Sequence, residues 1–140
     1  MHDRGSFRRA VEARDLDQMM DAFAEDALLH SPVSFKPFEG RAAIRQLLGI
    51  LLQVFREFRY TDELVSEHGT RALIFRARVA DRELEGLDLI RFGNSGLIED
   101  FTVMVRPRSA LEALFGEVAS RLAAPGEGAA QPGAAEPPLR

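Results

Sequence analysis

The chain has 140 residues, 46% of them hydrophobic, which suits one domain with a single packed core and leaves no room for a second of similar size. With 22 acidic against 18 basic side chains the net charge is −4, and the charges are interspersed, so there is no basic field to hold a nucleic-acid backbone. The absence of Cys excludes disulfides, thiolate metal sites and a cysteine nucleophile.

A cysteine-free chain fits a reducing cytoplasm. The opening His2-Asp3-Arg4-Gly5 has no apolar leader, and no apolar run approaches the roughly 18 residues that span a bilayer. A soluble, cytoplasmic protein without a membrane partner is expected.

Phe7, Ala10 and Val11 recur at helical spacing, and Asp15 reads as an N-cap with Gln18 placed to close a capping box. Leu16, Met19, Met20 and Phe23 then follow i, i+3, i+4, i+7, the stripe of a second helix that Glu25-Asp26 ends. Ala27 to Ser31 is expected as a short strand with Ala27, Leu29 and Ser31 on one face, and Leu28 and His30 on the other. Pro32 and Pro37 bar a central strand, so residues 32–39 form a loop or edge segment. Gly40 opens the longest apolar stripe, Ile44, Leu47, Leu48, Leu51, Leu52 and Phe55.

Beyond it the period changes from 3.6 to 2. Residues 58–67, 71–79, 83–92 and 97–106 read as four strands, joined by His68-Gly69, Ala80-Asp81-Arg82 and Gly93-Asn94-Ser95-Gly96, short enough for antiparallel hairpins. Ser109 with Glu112 reads as a second capping box ahead of a closing helix marked by Leu111, Leu114, Phe115, Val118 and Leu122. The domain is thus 1–122. Residues 123–140, rich in Ala, Gly, Pro and Glu, are expected to be a disordered tail.

Tight turns at 80–83 and 93–96 would put Asp88 opposite Phe75 and Phe101, on one face with Leu73, Ala77, Leu84, Ile90, Val103 and Val105. The other face collects Arg76, Arg78, Glu85, Arg91, Asp100 and Thr102, with Arg78 opposite Glu85. The inner face is then apolar apart from Asp88 and, toward the turn, Glu99. A bulge near Gly86 would reverse this assignment. A carboxylate buried there is costly unless paired, hydrogen-bonded or protonated. Two readings of Asp88 stay open: a structural acid tied to a backbone N–H or to His30, or a proton donor and acceptor in an apolar cavity.

His30 titrates near neutrality and could serve as a base, but its strand parity sets it on the face away from Ser31. Ser31 lacks an acidic partner and a Gly-x-Ser-x-Gly elbow, so it reads as a pocket hydroxyl. Tyr60, the single tyrosine, could line a cavity mouth or cap the core. His2, His30 and His68 lack the spacing of a metal site, and no metal or cofactor is implied.

Two short helices, a strand ending in His30-Ser31-Pro32-Val33, a long helix, four antiparallel strands and a closing helix resemble the SnoaL-like branch of the nuclear transport factor 2 superfamily. The stretches ARDLDQMMDAFAEDALLHSPVSFKPFEGRAAI and LEGLDLIRFGNSGLIEDF carry the resemblance, which extends over roughly residues 7–122. It implies an α+β cone, a curved antiparallel sheet wrapped around N-terminal helices, open at one end into an apolar pocket. It also implies a homodimer through the sheet's outer face.

Laid along the related ketosteroid isomerases, Asp88 in GLDLIRF matches their oxyanion-binding Asp. Ser31 stands where they carry the general-base Asp before Pro-Val, and Phe7 where they carry the catalytic Tyr. The resemblance therefore argues against steroid isomerisation by their route. In limonene epoxide hydrolase-like members the later Asp falls on Val103, which argues against that chemistry too. Polyketide cyclase-like acid–base chemistry on a small apolar carbonyl compound remains, with Asp88 as catalytic residue. Phe7, Met20, His30, Ser31, Phe55, Tyr60, Phe75, Phe101 and Val103 are the candidate substrate-binding residues. A non-catalytic binding protein for an apolar ligand and a structural dimerisation module are the alternatives.

Overall fold

A computed structural model describes residues 2–122; the tail expected at 123–140 lies outside the described residues. Helix α1 (Ser6–Glu12) and helix α2 (Leu16–Asp21) meet at Arg14-Asp15, where the Asp15 carboxylate accepts a hydrogen bond from the Gln18 N–H at 3.1 Å. Strand β1 (Phe23–His30) follows, then the two-residue strand β2 (Phe38–Glu39) and helix α3 (Arg41–Val54). Strands β3 (Arg56–Val65), β4 (Arg71–Val79), β5 (Arg82–Phe92) and β6 (Ile98–Arg106) lead into helix α4 (Arg108–Leu122).

The six strands form one open sheet in the order β2-β1-β6-β5-β4-β3. β1 and β6 run parallel and every other neighbouring pair is antiparallel. The inner face buries Leu73, Phe75, Ala77, Leu84, Ile90 and Phe101, and α3 presses Ile44, Leu47 and Leu48 against the core. Gly40 opens α3 at φ 86°, a left-handed conformation cheap only for glycine, and its N–H reaches the Ala27 carbonyl at 2.8 Å.

Several local expectations shift. Phe23 belongs to β1 and not to α2, because the Ala22 carbonyl accepts the Ile98 N–H and draws the chain into the sheet. Ser109 lies inside the first turn of α4 and is no N-cap; Glu112 instead meets Arg108 at 3.2 Å. Both hairpin registers are displaced by two residues. Asp88 faces Leu73 and Val103, while Phe75 faces Gly86 and Phe101 faces Ile90. Arg78 faces Glu83, and Glu85 faces Arg76, at 3.1 and 3.5 Å.

The physical cause is turn placement. The β4–β5 reversal uses Ala80 and Asp81, with Ala80 held at φ 54°, so the turn closes one residue earlier than assumed. A register shift between Arg91 and Phe92 takes up an extra residue before β6, which buries Ile98 and leaves Glu99 exposed. A displacement of two preserves side-chain parity, so Asp88 still points inward. No bulge interrupts the ladder at Gly86.

Candidate functional site

The cavity is built where α1, α3 and the inner sheet face converge. Phe7 from α1 packs edge-on against Phe101 and Phe23, with centroids 5.2 and 5.6 Å apart, and walls one side. Two irregularities bend the edge strand β3, after Arg56 and after Tyr60, and turn Phe58 and Tyr60 inward. Phe58 stacks on Phe75 at 4.8 Å and meets Tyr60 edge-on at 5.0 Å. Phe55, at the end of α3, completes this aromatic wall 5.7 Å from Phe75.

The resulting space has a volume of ≈ 320 Å³ and reaches Asp88. It sits at the small end of the range of pockets that hold small molecules. Its exposed lining residues, Glu12, Arg14 and Arg59, mark the opening.

Asp88 is only 6% exposed, and no hydrogen-bond donor among the described residues reaches its carboxyl group. Burial alone raises its pKa from 3.8 to about 8, because the ionised form loses its hydration without a compensating charge. At neutral pH the carboxyl is therefore mostly protonated and can donate. Tyr60 shares this space. Its hydroxyl is buried with no hydrogen-bond partner among the described residues, and its acidity is suppressed first by burial and then by the nearby Asp88. Arg8 lies over the outer side of the Tyr60 ring, 5.1 Å from the centroid. An unpartnered buried hydroxyl costs about 1–3 kcal/mol, so the hydroxyl would gain from an acceptor brought in by a ligand.

Of the residues expected at the site, Asp88, Phe7, Phe55, Tyr60, Phe75, Phe101 and Val103 come together around this cavity. Met20 does not, because α2 points it into the core while its neighbour Met19 lines the cavity. His30 is also elsewhere: its Nε2 lies 2.8 Å from the Asp100 carboxylate, so it is not the partner of Asp88. Ser31 lines a separate, smaller pocket of ≈ 60 Å³ with Val33 and Phe115. Leu51, Phe55 and Val103 form the partition between the two spaces.

The family model described as a SnoaL-like domain matches residues 4–101. The chain belongs to the SnoaL-like family. Among solved structures, this SnoaL-like chain is 42% identical to a steroid delta-isomerase from Pseudomonas aeruginosa, over 84% of this chain and 86% of that one, with a TM-score of 0.80. It is 30% identical to an uncharacterized protein with a cystatin-like fold from Silicibacter pomeroyi DSS-3, over 91% and 90% of the two chains, with a TM-score of 0.83. A putative SnoaL-like polyketide cyclase from Shewanella denitrificans OS-217 shares the fold at 11% identity and a TM-score of 0.62, over 79% and 93%. The curated proteins gave no match. The SnoaL-like cone thus stands as the resemblance implied, with an isomerase-named relative at 42% identity and a cyclase-named structure sharing the fold.

Sequence reasoning missed Phe58, Arg14 and Arg59 in this SnoaL-like cavity. Phe58 shares strand parity with Tyr60 and could have been found from it. Arg14 and Arg59 carry no such signal, since only the closure of the cone brings the α1–α2 turn near β3.

Proposed function

We propose that this SnoaL-like protein is an enzyme acting on small apolar carbonyl compounds, with Asp88 carrying the proton transfer. One observation carries the reading: a buried carboxyl with its pKa raised to about 8 shares a cavity with Tyr60, whose hydroxyl is buried without a partner among the described residues. Neutral Asp88 and Tyr60 each donate a hydrogen bond to one carbonyl oxygen. As a water takes the α-proton, charge moves onto that oxygen, and Asp88 passes its own proton to it to give the enol. The resulting hydronium reprotonates the Asp88 carboxylate, and the Tyr60 hydrogen bond strengthens in the transition state. The 42% identity to a protein named as a steroid delta-isomerase supports enolisation chemistry in general terms. Phe7 and Ser31 stand against a copy of the ketosteroid isomerase route.

Exchange of α-hydrogens for deuterium across a panel of ketones and enones, followed by NMR, tests this. The rate should fall as pH rises through about 8, where Asp88 loses the proton it donates. An Asp88→Asn variant with an unchanged rate and pH profile would overturn the assignment. A second reading, a binding module that holds an apolar carbonyl ligand without turnover, is favoured by the position of Ser31 outside the Asp88 cavity. Wild-type turnover would end it. Within either reading a homodimer forms through the sheet's outer face, a proposal supported by Met104, half exposed on that face. A monomeric mass by light scattering would remove it.

A further inference from the structure

The opening of the Asp88 cavity carries two cations that no carboxylate among the described residues neutralises. Arg14 and Arg59 both line the cavity, both are exposed, and neither forms an ion pair among the described residues. Their recorded hydrogen bonds go to backbone carbonyls, Arg14 Nη2 to Leu52 at 2.5 Å and Arg59 Nη1 to Glu57 at 3.2 Å. The third charged group at the opening, Glu12, is held 3.2 Å from Arg8, which also meets Glu63 at 2.8 Å. Most other described arginines are paired, although Arg4, Arg56 and Arg91, none of which lines the cavity, also lack a carboxylate within ion-pair reach. Arg8, Arg9, Arg45, Arg71, Arg76, Arg78 and Arg106 are each within ion-pair reach of Asp or Glu.

The backbone at Arg14 makes the position more specific. Its N–H bonds to the Val11 carbonyl and that of Asp15 to the Ala10 carbonyl, the paired bonds of a Schellman cap. The capping residue takes φ 56°, where glycine is the ordinary choice and another side chain costs roughly 1 kcal/mol. An arginine stands where glycine would fit better. Its side chain reaches across the opening to the last turn of α3, leaving further N–H groups of the guanidinium free to bind.

We propose that Arg14 and Arg59 hold the carboxylate of an apolar oxo-acid whose ketone oxygen lies at Asp88 and Tyr60. The inference rests on the reading of this cavity as the ligand site and adds the charge of the ligand to it. An acid group at the wet opening keeps part of its hydration while it gains two guanidinium partners, which suits a ligand with an apolar body and one charged end. The deep end offers two hydrogen-bond donors to a ketone and no cation. The two ends therefore select opposite ends of one molecule.

The test compares 3-benzoylpropionate with its uncharged methyl ester by calorimetric titration of the full chain. Three proteins are needed: wild type, Asp88→Leu, which removes the donor at that position, and the double variant Arg14→Gly/Arg59→Gln. Glycine suits the left-handed position, so the fold at residue 14 is preserved, and a matching thermal melt verifies it. The acid should bind wild type about fivefold more tightly than the ester, the scale of a partly exposed ion pair. High salt should erase that preference, and the double variant should show none. Equal binding of acid and ester by wild type would overturn the anion site while leaving the cavity reading intact. So would a preference that survives in the double variant. Binding of neither probe, or ester binding untouched by Asp88→Leu, would remove the cavity reading and with it this inference.

Discussion

Gly86 and Phe75 face each other across the β4–β5 ladder, and the Phe75 ring fills the space a side chain at Gly86 would need. A Cβ built on Gly86 would lie 2.1 Å from the ring's Cζ. The same ring lines the Asp88 cavity and stacks on Phe58. Gly86→Ala should therefore push Phe75 into the cavity and cost about 1–3 kcal/mol by overpacking. Chemical denaturation would measure the cost. Adding Phe75→Leu, which removes the conflicting ring, should recover part of it, and a fully additive double variant would show the two positions to be uncoupled.

Asp88 makes the stability of the fold depend on pH. Its pKa in the folded chain is about 8 against an ordinary 3.8, so the folded state holds this proton over a range in which the unfolded chain has released it. Its contribution is complete below pH 3.8. It is lost by up to about 1.4 kcal/mol per pH unit as the pH rises toward 8. Asp88→Asn keeps the shape without the charge. It should flatten this part of the stability curve and raise the melting temperature above neutral pH. Parallel curves for variant and wild type between pH 5 and 8 would contradict the burial of an isolated carboxyl.

Tyr60→Phe removes a buried hydroxyl that has no partner among the described residues. The variant should be more stable than wild type by about 1 kcal/mol, since a desolvated group disappears and no hydrogen bond is lost. Affinity for a ketone ligand should fall in the same variant. Melting curves and ligand titrations together check the trade, and a drop in stability would mean the hydroxyl is already satisfied.

His30 offers a contrast. Its bond to Asp100 spans the parallel pairing of β1 and β6, and neither residue lines the Asp88 cavity. His30→Ala should cost about 1 kcal/mol in stability and leave ketone binding unchanged. Binding measured beside the melt would separate the two effects. Impaired binding would bring His30 back into the site.

The order of elements and the inward orientation of Asp88 were legible in the sequence, because side-chain parity on a strand depends on a period of two that local composition records. Leu84, Asp88 and Ile90 share a face whatever their partners are. Tertiary structure decided the partners. Ala80 in a left-handed turn and the shift after Arg91 moved both registers by two residues, setting Leu73 and Val103 beside Asp88 in place of the two phenylalanines. The site's boundary was likewise a three-dimensional outcome. Bends in β3 bring Tyr60 and Arg59 to the cavity, the Arg14 side chain crosses to α3, and Ser31 and His30 fall outside. The segments that carry those residues are separated by long stretches of chain. Only the curvature of the sheet and the closing of the helices over it set their distances, and no local spacing encodes either.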